Sequence, residues 1–493
     1  MSAEKPVIHL FRRDSRLDDN TALLAAAETG APIVPVFVLD DRILASERLG
    51  VPRLAFMLSG LGALDAGLRA RGARLLVLRG DPRALVPDLA ARLGAAAVYA
   101  NRDISPYAAQ RDRALTEALN AHGIAFHLYD DVLIHPPGSV NKGDGGPYVV
   151  FGAFRKAWEA LPTREPRDFP ADARFYTPDG EGMPIPSVTD LGFPAPNATP
   201  EAGEAEALRR LGVFTDARIE RYAEARNPIA SFDDFDRPGP HDLGTSTLSP
   251  YLRLGMLSPR RAAAAAGWAW KQARPGAPRH GAETWISELC WRDFYAHILA
   301  RFPHVLDRAF RPQYDAVAFR HAPDELDRWL YGQTGYPIVD AAMRSMHALG
   351  WMHNRARMIV ASFLTKDLLI HFREGDVAFM RHLMDGDLAA NNGGWQWAAG
   401  TGTDAQPYFR IFNPVSQSKK FDPDGRFIRR WVPELRDVPV KFVHWPHDMT
   451  TPPRGYPAPM VDHAFARERT LAAFRAAAPA AEGRSSDGAG EAE

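Results

Sequence analysis

Short apolar runs rich in β-branched residues alternate, over the first 131 residues, with longer stretches whose apolar positions recur at helical spacing. The runs at 7–11, 33–39, 74–78, 96–100 and 124–129 read as strands, and the stretches at 20–28, 53–70, 82–93 and 108–121 read as helices between them. Runs that are apolar at nearly every position suit strands covered on both faces, as in a parallel sheet flanked by helices. The pattern therefore predicts an α/β domain over 1–131 with a Rossmann-like parallel sheet. Its first strand leads into RRDSRLDDN and not into a glycine-rich turn, so no dinucleotide-binding fingerprint is present.

Proline, glycine and charge dominate 132–205, where only 152–159 has helical composition, and this segment reads as a connector wrapped on the surface. From 206 to 475 the pattern is helical, with long stretches at 282–302, 337–372 and 376–385, which predicts an all-α domain. The tail 476–493 is small and polar and is expected to be disordered.

A chain of 493 residues exceeds the usual single-domain size. Its formal net charge of −1 announces no polyanionic partner, so such a surface must be a local basic patch. The single cysteine, Cys290, excludes an internal disulfide and a cysteine-ligated cluster, and points to a reducing, cytoplasmic compartment. No metal site is expected. No apolar run of about 18 residues occurs, so neither a membrane span nor a signal peptide is expected. All 11 tryptophans lie after residue 150, which separates the two halves by task.

Four segments carry candidate chemistry. The loop 244–251 offers Thr245, Ser246, Thr247 and Ser249 with several backbone N–H groups at a helix entrance; this suits an anion, although such loops are more often ordinary N-caps. On a helix through 283–295, Glu288, Trp291, Arg292 and Tyr295 share one face, while Ile286, Cys290, Phe294 and Ile298 form the apolar one. The same spacing also fits a plain helix with a Glu288–Arg292 surface pair. In 350–359, Asn354 and Met358 lie one turn apart beside Arg355 and Arg357, and His353 is assigned no chemistry. The acids, amides, glycines and paired tryptophans of 384–397 make a poor core segment but a suitable wall for a polar, planar heterocycle.

The segments TSTLSPYLRLG, WISELCWRDFY, GYPIVDAAMRSMHALGWMHNRARM, DGDLAANNGGWQWAAGTGTDAQPYFRIFNP and YPAPMVDHAFARERTL resemble the photolyase and cryptochrome family, above all the bacterial class I cyclobutane pyrimidine dimer photolyases. The resemblance implies FAD in the helical domain, held by Tyr222, Thr245, Ser246, Thr247, Leu248, Ser249, Trp285, Arg292, Arg357, Asp385, Asp387 and Asn391. It implies light-driven repair by electron transfer from reduced FAD to a flipped-out dimer, with Glu288, Asn391 and Trp395 in catalytic roles. Damaged DNA would meet Arg226, Glu288, Trp291, Tyr295, Asn354, Arg355, Met358, Arg410 and Gln417. Between Arg410 and Trp431, six basic residues against two acidic ones leave a local excess of four positive charges.

One departure from the family concerns its three-tryptophan electron relay. Trp395 matches the first position, but Phe372 and Phe319 stand at the outer two, with Trp397, Trp351 and Tyr408 as candidate detours. A second chromophore is left open between 8-hydroxy-5-deazaflavin, methenyltetrahydrofolate and none: Tyr107-Ala108 replaces the folate binders' Asn-Glu pair, and RDISPYAAQRD looks closer to deazaflavin binders. The rival reading is a cryptochrome-type photoreceptor without repair activity, against which Asn391 and the Glu288, Trp291 and Met358 set stand. Six-four photolyases need a histidine pair where this chain has Asn354 and Met358. The expected protein is a monomer without an obligate protein partner, cytoplasmic and nucleoid-associated on damaged DNA.

Overall fold

Strand β1 (Val7–Phe11) is central to a five-stranded parallel sheet ordered β3–β2–β1–β4–β5, with β2 at Ile33–Asp40, β3 at Leu76–Gly80, β4 at Ala97–Asn101 and β5 at Ala125–Tyr129. Register pairs Val7 with Ile33 on one side and with Ala97 on the other. Val7 and Phe11 face the core beneath helix Val51–Arg69, whereas Ile8 and Leu10 face helices Pro82–Arg92 and Pro106–Ala121. That double burial is the reason for the unbroken apolar runs. The computed structural model describes residues 4–197, 199–229 and 244–477, and the tail expected to be disordered lies outside them from 478 onward.

Several boundaries differ from the sequence expectation. Strand β3 sits two residues later than expected. Helices Val51–Arg69 and Pro106–Ala121 each begin two residues earlier, because a proline in the first helical turn sacrifices no hydrogen bond. Helix Val51–Arg69 is long and apolar enough to cross a bilayer, with a mean hydropathy of 1.2, but its Leu54, Leu58, Leu61, Leu64 and Leu68 are buried under the sheet.

The connector is not confined to the surface. Helix Phe151–Glu159 sinks Phe154 and Trp158 into the helical half, and further on Phe175 and Met183 bridge to Ile33 and Val77 of the sheet. The expected helical stretch 337–372 is broken into pieces. Helix Pro337–Leu349 ends at Gly350, whose φ of 63° is the left-handed cap conformation. Helix Asn354–Ser362 then starts with His353 Nδ1 accepting from Arg355 N at 3.1 Å, and runs into a π-turn at Phe363–Asp367. The next helix is Phe372–His382, earlier than the 376–385 expected.

Helix Leu388–Ala399 packs between Ala277–Arg301 and Phe372–His382. Two glycines permit that approach. A Cβ on Gly393 would lie 2.1 Å from the Tyr295 ring, and one on Gly375 would lie 2.1 Å from the Trp395 ring.

A buried ionic network fastens the sheet half to the helical half. Arg16 and Arg260 each hold Asp131 at 2.7 Å, Arg260 also reaches Asp19 at 2.9 Å, and Ser258 donates to Asp19. Burial alone would raise the Asp131 carboxyl, but the two guanidiniums hold it below the usual carboxylate range. Removing one partner from such a network leaves an uncompensated buried charge, at a cost of about 3–5 kcal/mol. A second tie reaches the functional region directly: Arg13 contacts Asp103 at 2.7 Å and Asp387 at 2.6 Å.

Candidate functional site

The helical half contains a cavity of about 520 Å³, a size typical of small-molecule sites. Its walls come from the loop 244–249 and from helices Ala277–Arg301, Asn354–Ser362 and Leu388–Ala399.

The inner wall is acidic groups held by cations. Arg357 donates to Asp385 Oδ2 at 2.7 Å, and the Ser249 hydroxyl reaches the same oxygen at 2.7 Å. Asp385 Oδ1 is buried and, among the described residues, has no hydrogen-bond partner. Asp387 caps helix Leu388–Ala399 by accepting from Ala389 N and Ala390 N, at 3.0 and 3.2 Å. Burial works against ionisation of Asp387, but Arg13, Arg253 and Arg292 offset it and keep the carboxyl below the usual range. Asn391 donates its amide to Asp376 Oδ1 at 2.7 Å. Asp376 is itself fully buried, and burial pushes its carboxyl up to about 6 against the pull of Arg48.

The Glu288–Arg292 pair does not form. Arg292 turns to the carbonyls of Val132 and Leu252, at 2.5 and 3.2 Å, while Glu288 pairs with Arg226 from a distant turn. Helical spacing brought the two within reach, but the backbone carbonyls of Val132 and Leu252 and the cation of Arg226, which caps the C-terminus of helix Tyr222–Ala225, offered alternatives. In the loop, Thr247 has φ 55°, and its hydroxyl donates to Ser246 O while accepting from Arg210.

The mouth is aromatic and less committed. Trp291 and Met358 are half-buried, Asn354 is exposed, and the Asn354 amide lies 3.9 Å from Met358 sulfur. His353 is a buried helix cap; burial and the charges of Arg355 and Arg357 push it down to about 3.

Residues 7–172 match the family described as DNA photolyase, and residues 285–476 match the FAD binding domain of DNA photolyase. The chain is 42% identical, over 95% of its length and 96% of the relative's, to a deoxyribodipyrimidine photo-lyase of Synechococcus sp.. The chain belongs to the DNA photolyase family. Among solved structures it is similar to a bacterial class III photolyase from Agrobacterium tumefaciens, with a TM-score of 0.87, 35% identity and coverage of 97% and 98% of the two chains. It is also similar to a cryptochrome from Synechocystis sp., with a TM-score of 0.85, 28% identity and coverage of 96% and 100%.

Every residue assigned to the cofactor from the family resemblance lines this one cavity, as do Arg226, Glu288, Trp291, Tyr295, Asn354, Met358 and Trp395. Arg355, Arg410 and Gln417 lie outside its lining. Arg355 sits 4.2 Å above the Phe421 ring, on the helix Pro414–Phe421 that carries Gln417. Burial, Arg226 and Arg410 all depress its guanidinium, which places the three arginines in one positive cluster.

Trp395 is buried and packs edge-on against Phe379 at 4.9 Å and Trp329 at 6.0 Å. Between the two expected relay positions stands His371, 4.4 Å from Phe372 and 4.9 Å from Phe319. Trp329 and Asp376 escaped the sequence reading because both reach the site through contacts distant in sequence. At 107–108, the Tyr107 hydroxyl donates to Asp40 and the Ala108 N–H to the Ser105 cap, so both are engaged within the sheet half.

Proposed function

We propose that this chain binds FAD in the cavity and uses light to repair cyclobutane pyrimidine dimers in DNA. The observation that carries the reading is the joining, in one cavity, of a charged inner wall and an aromatic mouth beside a cluster of arginines.

The residues present fit the cofactor. Asp385, on the cavity wall, would accept from an N–H of a planar heterocycle, and Arg357 balances its charge at 2.7 Å. Asn391 lines the cavity with its amide nitrogen committed to Asp376, and as a neutral side chain it would not repel an electron-rich ring as a carboxylate would. Reduced FAD, when bound, would supply the light-driven electron transfer by which the cyclobutane ring is opened.

The protein positions and excludes. Trp291 offers a stacking plate, Asn354 and Met358 line the entrance, and Glu288 stands ready to accept from a base edge in exchange for Arg226. Arg226, Arg355 and Arg410, with Gln417, meet the phosphates that flank a flipped nucleotide. Residues 206–475 act as the flavin and DNA domain, 1–131 as a sheet domain able to carry an antenna, and 132–205 as the connector. The protein works as a monomer in the cytoplasm, on damaged DNA.

The test is to illuminate protein with reduced FAD and a dimer-containing oligonucleotide, beside a dark control. Restored thymines in the light alone are expected. No repair with FAD bound and reduced, or repair in darkness, overturns the reading. The absorption spectrum of the same preparation distinguishes a deazaflavin from a folate antenna.

A further inference from the structure

The most closely stacked ring pair in the mouth joins Trp291 to a residue of the connector. Phe151, the first residue of helix Phe151–Glu159, lies against the indole with centroids 3.6 Å apart and planes within 7°. Isolated aromatic pairs prefer offset or edge-on arrangements, so a near-eclipsed pair is held by its surroundings. Phe151 N donates to Asp404 Oδ2 at 3.0 Å, and Thr403 donates to Val149 O at 2.5 Å. Asp404 takes the left-handed region, φ 44°, to present that carboxylate. Phe294 meets the edges of both rings, at 5.6 and 5.8 Å.

We infer that Phe151 is a positioning residue for lesion recognition: it covers the rear face of Trp291 and fixes the indole plane, leaving the other face to the flipped dimer. This rests on the proposed role of Trp291 at the mouth. A plate held from behind loses less freedom when a base stacks on it, which favours the flipped state over undamaged duplex. Asp404 and Thr403 extend the anchor into the loop that continues to Arg410, so the plate and a phosphate-binding arginine share one support.

The experiment measures affinity for dimer-containing and undamaged oligonucleotides, flavin content and repair yield of bound complexes. Phe151→Leu is expected to weaken lesion binding about fivefold and lower the repair yield, with undamaged-DNA affinity and flavin content unchanged. Phe151→Tyr, which keeps the ring, should restore both. Asp404→Ala loosens the same anchor without altering a core ring, should act in the same selective direction, and serves where Phe151→Leu fails to fold. Equal losses for both DNAs, or lost flavin, would make Phe151 merely structural and overturn the inference. Unchanged lesion affinity in Phe151→Leu and Asp404→Ala, with a loss in Trp291→Ala, also overturns it but leaves the repair reading standing. Unchanged affinity in Trp291→Ala removes the reading of the mouth and this inference together.

Discussion

Asp385, Asp387 and Asn391, on the inner wall of the cavity, have their side chains bound by the protein itself. Trp291, Asn354 and Met358, at the mouth, are half-buried or exposed and make ring and sulfur contacts in place of strong hydrogen bonds. The inner wall is a finished electrostatic structure, assembled from charges that reach across from both halves of the molecule. On the proposed reading, the mouth is a set of surfaces whose partner is external. A tightly held small cofactor gains from the first arrangement, because its site costs no reorganisation. A large substrate that enters and leaves gains from the second, because stacking is strong enough to select and weak enough to release.

The largest effect should come from breaking the inner wall. Asp385→Ala leaves Arg357 without its carboxylate, and retention of FAD should fall by about 3–5 kcal/mol, read as flavin content and flavin affinity of the purified protein. Lesion affinity of the remaining holoprotein should change little; a selective loss there would erase the distinction between the two regions.

Asp376 tests the inner wall by pH. Burial raises its carboxyl to about 6 from an ordinary 3.8, so the folded state holds the proton more tightly than the unfolded chain does. The associated stability is fully present below the unfolded value and is lost as pH rises through about 6. Asp376→Asn keeps an acceptor for Asn391 but cannot ionise, so its stability relative to the parent should improve by on the order of 2–3 kcal/mol between pH ~4 and ~7. Denaturant melts at several pH values measure this, and a pH-independent difference contradicts the buried neutral acid.

At the mouth, Trp291→Ala should weaken lesion binding by about 1–3 kcal/mol, with bound flavin unchanged. Oligonucleotide titrations and flavin absorbance separate the two quantities. Loss of flavin with unaltered lesion affinity would assign Trp291 to the inner wall.

The smallest effect on repair concerns the relay. Phe372→Trp with Phe319→Trp should accelerate photoreduction of oxidised FAD while repair by pre-reduced protein hardly changes, at a packing cost of about 1–3 kcal/mol because Phe372 is fully buried. Rapid photoreduction in the parent protein that disappears in Trp329→Phe would show that the indole 6.0 Å from Trp395 already supplies a route.

Much of this molecule is written in local sequence. Strand and helix periods, the prolines that open helices, and the shared face of Glu288, Trp291, Arg292 and Tyr295 follow from spacing along the chain, so the parallel sheet and the helical half were legible, while most of the named cavity residues came from the family resemblance. What spacing could not decide was the choice among partners. Arg292 abandoned Glu288 for two backbone carbonyls, Gly350 and the π-turn divided one apparent helix, and the connector sent Phe154 and Trp158 into the core. The relations of Asp376 to Asn391, Arg13 to Asp387 and Phe151 to Trp291 exist only after folding, because each joins elements distant in sequence whose distances the packed glycines, buried ion pairs and aromatic rings set together. Periodicity is local and survives in a list of residues; the pairing of buried charges and rings is a competition settled only when all candidates are in place.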